Sequence, residues 1–194
     1  MNHKYELIIA AEKQFAKEVT LGVVVHQPLS VWHYLIPGMF IIDFLRRTSA
    51  ISRYTRHFMF PRQLAIDAAR HLLQGYEKAD VNSRLAADIE SWLNSLNINS
   101  LQLARAQQRA IDLLIRHYSK LLRAEGNSHI ELIENAYGSR EAYEAHVREL
   151  TTAEAEIDRA IIEKMGNGEK LKEKLQLEAQ QVEFRRNRIL ENMF

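Results

Sequence analysis

Only three prolines and seven glycines punctuate 194 residues, and that scarcity decides the fold class. An all-β chain needs frequent turns, and turns draw on glycine and proline. Strand-like β-branched sequence is confined to Val23-Val24-Val25, too short to count. Elsewhere apolar residues recur at steps of three and four, the period of a helix with one buried face. Gln27-Pro28, Ile36-Pro37-Gly38 and Phe60-Pro61 mark three early breaks, because proline lacks the N–H and its ring clashes with the preceding turn. Asn97-Ile98-Asn99-Ser100, Gly126-Asn127-Ser128, Gly138-Ser139 and Gly166-Asn167-Gly168 each pair a helix stop with a start.

The spacing predicts helices over about 4–26, 37–59, 61–78, 83–96, 100–124, 128–137, 139–165 and 168–192. The expected fold is all-α, a multi-helix bundle over residues 1–137 followed by a long C-terminal antiparallel helical hairpin over 138–194. In the helix 100–124, Leu103, Ala106, Ala110, Leu113, Leu114, Tyr118 and Leu121 trace one stripe. In the hairpin, Tyr143, Val147, Leu150, Ile157, Ile161 and Met165 face Leu171, Leu175, Val182 and Ile189 in a coiled-coil-like seam. Glu154 and Glu178 interrupt it, so a long uniform zipper is not expected. The hairpin is expected to pack on the same domain.

From Val19 to Ile42, 24 consecutive residues carry no Asp, Glu, Lys or Arg, in a chain 26% charged. His26-Gln27-Pro28, His33 and Pro37-Gly38 interrupt the run, so it is a poor candidate for a clean membrane span. It must nevertheless bury its apolar surface somewhere. Two destinations are open: a core or subunit interface, and a bent insertion at a membrane surface with Trp32 and Tyr34 at headgroup level. On the following helix, Phe40, Phe44, Ile51, Tyr54 and Phe58 share one face. Arg46, Arg53, Arg56 and His57 lie opposite, while Arg47 strays to the apolar side. A basic amphipathic helix beside an uncharged aromatic segment suits an anionic lipid surface; it suits a core helix with a basic outer face equally.

Charge is uneven along the chain. Residues 1–124 carry 16 Lys/Arg against 10 Asp/Glu, and residues 125–194 carry 10 against 15. Either the basic part meets an anionic partner, or the two parts attract each other within or between copies. A pI near 8.0 is low for a dedicated nucleic-acid binder, and the helix 83–96 holds Asp88 and Glu90 but only Arg84; nucleic acid is therefore not an expected partner. The first residues lack the basic, apolar and small-residue order of a signal peptide. That implies a cytoplasmic protein, with membrane association as the variant reading.

Few chemistries find their residues here. The chain has no cysteine, which excludes disulfides, thiolate metal sites and cysteine nucleophiles. There is no Glu-x-x-His, no His-Glu-x-x-His, no Gly-x-Ser-x-Gly and no Gly-rich phosphate loop. Asp67 with His71, His146 with Glu149, and the group His129, Glu131, Glu134 are the nearest local carboxylate–histidine sets. They read as surface pairs, and neither metal nor cofactor is expected. Around His71, the run His71-Leu72-Leu73-Gln74-Gly75 resembles the phosphorelay His-phosphotransfer motif, with Gln74 where that family has lysine. The resemblance implies His71 as a phospho-acceptor. The reading favoured by the residues is a non-catalytic interaction or assembly protein with a protein partner or a second copy. Trp32, Tyr34, Phe40, Phe44 and Ile51 would be at the interface or membrane, and Arg46, Arg47, Arg53 and Arg56 would face anions. A phosphorelay or metal-dependent helical enzyme is the remaining alternative.

Overall fold

A computed structural model describes residues 2–25, 37–166 and 168–193, with side chains described outside 24–48 and position 50. Among the described residues there are seven helices and no strand: α1 (Asn2–Val25), α2 (Pro37–Leu73), α3 (Lys78–Ser95), α4 (Leu101–Arg123), α5 (His129–Tyr137), α6 (Arg140–Met165) and α7 (Glu169–Met193). The chain is an all-α bundle. Trp32 and Tyr34 lie outside the described residues, as do His26 and His33.

The predicted stop–start pairs form as their chemistry requires. Ser100, Ser128 and Ser139 accept from the backbone N–H of Leu103, Glu131 and Ala142, each at 3.2 Å. Each thereby satisfies one of the donors left free at a helix start. Gly138 closes α5 in the left-handed region at φ 71°, where a side chain would be strained.

One expected break is absent. Phe60-Pro61 does not end a helix; α2 runs through Pro61 to Leu73. Proline forfeits the bond to the carbonyl of His57, a residue on the exposed side of α2. The neighbouring Phe58 carbonyl accepts from Arg62 Nη1 at 3.1 Å, and the packing of Arg62 and Ala65–Ile66 into the core holds the helix together. The stop comes instead at Gly75, φ 92°, so α3 starts at Lys78 rather than near 83.

Helix α4 is the axis of the bundle, since α1, α2, α3, α5 and α6 all pack on it. Its predicted stripe is buried throughout, and Gln107, Ile111, Ile115, His117 and Leu122 are buried as well. A helix surrounded by neighbours has little outer face to spare. Helix α6 lies on α4 and α7 on α1, so the hairpin is packed onto the bundle. Tyr143, Leu150 and Val182 of its seam are buried, whereas Met165 at its tip is exposed. Ion pairs join the basic and acidic parts within the monomer: Arg62–Glu154, Arg109–Glu156 and Arg116–Glu149. A further pair, Arg185–Glu18, runs the other way at 2.9 Å.

Three contacts fix an antiparallel register between α1 and α2: Tyr5 with Asp67, Glu12 with Arg62, and Thr20 with Thr55. In that register Val25 falls level with about residue 50. The first dozen or so residues of α2 therefore run roughly 18 Å beyond the end of α1, at 1.5 Å per residue. This length begins inside the charge-free run. Val19 and Thr20, at the start of that run, are fully buried in the core.

Candidate functional site

Two arginines, 6% and 7% exposed, sit in the core: Arg62 on α2 and Arg186 on α7. Arg186 grips Glu154 of α6 with both terminal nitrogens, at 2.7 and 2.8 Å, and donates to Thr151 at 3.1 Å. Arg62 donates from Nε to Glu12 of α1 at 3.1 Å and lies 3.7 Å from Glu154. Its guanidinium stacks 3.8 Å above the Phe58 ring. Two cations and two anions thus tie α1, α2, α6 and α7 together with no net charge. Burial alone would raise the Glu154 carboxyl; the charge and hydrogen bonds of Arg186, with Arg62 behind them, hold it below its ordinary range.

Cavities open on either side of this network, with Arg62, Leu114, Leu150 and Arg186 in the wall of both. The first is about 320 Å³ and gathers titratable side chains. His117, His129, His146 and Tyr143 line it, along with Glu12. The rings of His117 and His146 stack at 4.7 Å and 10°, and the other face of the cluster is closed by Tyr137, whose hydroxyl shares a 2.7 Å hydrogen bond with His117 Nδ1. Burial pushes all three histidines down, His146 to about 4, with the cations Arg186, Lys120 and Arg116 adding to the effect there. The three imidazoles are therefore neutral near pH 7. Burial likewise pushes Tyr143 up to about 12. The buried Nε2 of His129 has no hydrogen-bond partner.

The second cavity, about 380 Å³, is mostly apolar. Tyr54 and Phe58 of α2, Trp92 of α3, Ile157 and Ile161 of α6, and Leu175 and Val182 of α7 form its walls. Glu154, Asp158 and Glu178 also face it. Glu154 keeps 30% of its side-chain surface because it borders this space. Asp158 and Glu178 have no cationic partner among the described residues. Burial first, and then the charges of Glu178 and Glu154, push the Asp158 carboxyl up to about 6. Burial also raises Glu178. The buried Tyr54 hydroxyl lies beside Glu178.

The residues expected to be functional are not gathered here. Ile51 is half-buried on α2 and Arg53 and Arg56 are exposed on its other side; Phe40, Phe44, Arg46 and Arg47 lie on α2 where side chains are not described. His71 sits in the last turn of α2, its ring 5.0 Å from that of Tyr76. Its expected neighbour Asp67 instead accepts from Tyr5 and Gln63, at 2.8 and 2.9 Å. Glu131 caps the backbone N–H of Asn127, away from His129's cavity-facing role. Among the described residues no group of three His, Asp or Glu is placed to hold a metal ion, and no helix is long and apolar enough to cross a membrane.

Sequence reasoning missed Arg62, His117, Asp158 and Arg186. A signal existed for some of them. His117 and Tyr118 lie between Leu114 and Leu121 at steps of three and four. Val182, Arg186, Leu190 and Met193 form the buried side of α7 in the same way. A charged or titratable residue on an otherwise apolar stripe is a buried one. No protein-family model matches the chain, and neither a curated protein nor a solved structure matches it.

Proposed function

We propose that the chain is a non-catalytic binding protein that encloses a small amphiphilic ligand between α2, α4, α6 and α7. The cavity of about 380 Å³ carries this reading. Its volume lies within the roughly 300–1,000 Å³ usual for small-molecule sites, and its make-up of apolar walls with a few convergent polar groups is also usual. Trp92 lines it and is one of only two tryptophans. A Trp32→Phe variant therefore reports the cavity through Trp92 alone. Titration with 1-octanol is expected to change Trp92 emission in a saturable way, and Val182→Phe, which narrows the space, is expected to weaken that response several-fold. A flat emission, or a response unaltered by Val182→Phe, refutes the reading.

The extension of α2 beyond α1 supports a second reading, assembly with another copy through the charge-free run and the start of α2. Large apolar side chains at Phe40 and Phe44 lie on that extension, and their exposure to water would be costly. Light scattering of the wild type is expected to give one oligomeric species, converted to monomer by Phe44→Glu. Unchanged mass in that variant counts against assembly through this segment. Flotation on anionic vesicles, lost in the triple change of Arg46, Arg53 and Arg56 to Glu, would instead place the segment at a lipid surface.

A further inference from the structure

The α2–α4–α6–α7 cavity has a chemical bias that its volume alone does not reveal. Its two cations are already committed. Arg62 is held by Glu12 and Glu154, and Arg186 by Glu154 and Thr151. Neither guanidinium is left to receive an anionic ligand. The acids are in the opposite position. Asp158 and Glu178 project from facing helices of the hairpin into the same space, with no ion pair between them and any described cation. The Tyr54 hydroxyl is buried and lies against Glu178. Polar groups taken out of water are ordinarily hydrogen-bonded and charges ordinarily paired, so two half-buried carboxyls on one cavity with no ion pair to a described cation point to something that completes them.

The groups themselves define what that is. Two carboxylates accept and do not donate when ionised, and they favour a cation that can donate to both. A hydroxyl can donate to, or accept from, a polar group close by. The remaining wall is aromatic and aliphatic: Tyr54, Phe58, Trp92, Ile157, Ile161 and Leu175. Aromatic faces attract organic cations, and aliphatic walls bury a carbon chain. A hard divalent ion fits poorly, because it wants six or more oxygen ligands and the described residues hold no group of three ligands in range.

On the reading that this cavity holds a ligand, we propose that the ligand is an amphiphilic organic ammonium. Its charged head lies between Asp158 and Glu178, near the Tyr54 hydroxyl, and its apolar body lies along Tyr54, Phe58, Trp92 and Ile161. Calorimetry on the full chain at pH 8 tests this with three matched probes: octylammonium, 1-octanol and octanoate. Octylammonium is expected to bind at least about tenfold more tightly than 1-octanol, and octanoate more weakly than either. The pair of changes Asp158→Asn and Glu178→Gln is expected to remove the preference while retaining 1-octanol binding. These changes delete half-buried charge that has no ion pair to a described cation, so they leave the fold intact, as circular dichroism will verify. Equal binding of octylammonium and 1-octanol overturns the cation assignment and leaves the ligand cavity standing. So does an ammonium preference that survives the double change. Tighter binding of octanoate overturns it as well, and failure of all three probes to bind overturns the ligand cavity itself.

Discussion

The interior ion network predicts a specific cost for Glu154→Gln. Glu154 is the only acceptor for two of the three hydrogen bonds that Arg186 makes, and Arg186 is 7% exposed. The amide keeps one acceptor oxygen and loses the charge. It leaves Arg186 with Thr151 and a partial bond, and it leaves Arg62 with Glu12 alone. Removing one partner of a buried pair costs about 3–5 kcal/mol, because the surviving charge stays out of water. The retained amide oxygen places Glu154→Gln near the lower end, about 3 kcal/mol. For a chain of this size that is a fall in Tm of roughly 6–12 °C. Glu154→Leu combined with Arg186→Met removes both charges together, and replacing a buried pair by apolar residues is often neutral or stabilising. The double variant is therefore expected to be more stable than Glu154→Gln. Urea unfolding followed by circular dichroism at 222 nm measures all of these, with unchanged m values as the check that cooperativity is intact. A cost below about 1 kcal/mol for Glu154→Gln at unchanged m would mean that the pair behaves as a solvated one. The account of the ionic core would then be wrong.

Much of the fold was legible because helix signals are local. Ser100, Ser128 and Ser139 cap where their spacing says they should, and the α4 stripe is buried from Leu103 to Leu121. Pro61 was misleading because a lost backbone bond on an exposed face costs less than the core contacts on either side of it gain. Glu154 and Glu178 were visible as interruptions of the hairpin seam. What they meet was not. Arg186 lies on the facing helix, and Arg62 and Tyr54 lie on a helix more than ninety residues earlier in sequence. A charge on a buried stripe announces a partner without naming it, since the partner is set by how the helices stack. The cavity between them is less legible still, being the volume that several helices fail to fill. Part of the charge asymmetry is taken up within the monomer, where arginines of α2 and α4 pair with glutamates of α6.

Two pH predictions of opposite sign follow from the two cavities. His146 is held down to about 4 in the fold against an ordinary value near 6.5. The unfolded chain therefore takes up its proton first, and the stability it confers is fully present above about 6.5 and lost as pH falls toward 4. The linked change is about 3 kcal/mol. His146→Phe keeps a ring against His117 and cannot titrate, so its unfolding free energy is expected to be flatter over this window than that of the wild type. Asp158 is the reverse case. Its carboxyl is pushed up to about 6 in the fold, so the folded state holds the proton more tightly, and stability falls as pH rises from about 4 through 6. A shift of this size corresponds to about 3 kcal/mol in full, reduced to about 1–2 kcal/mol by solvent screening at a half-buried group. Asp158→Asn is thus expected to stabilise the protein by that amount at pH 8 and to have little effect at pH 4, with urea midpoints at the two pH values as the measurement. Destabilisation at pH 8 would mean that the Asp158 charge has a partner in the native protein, and with it the reason to expect a cationic ligand there would disappear.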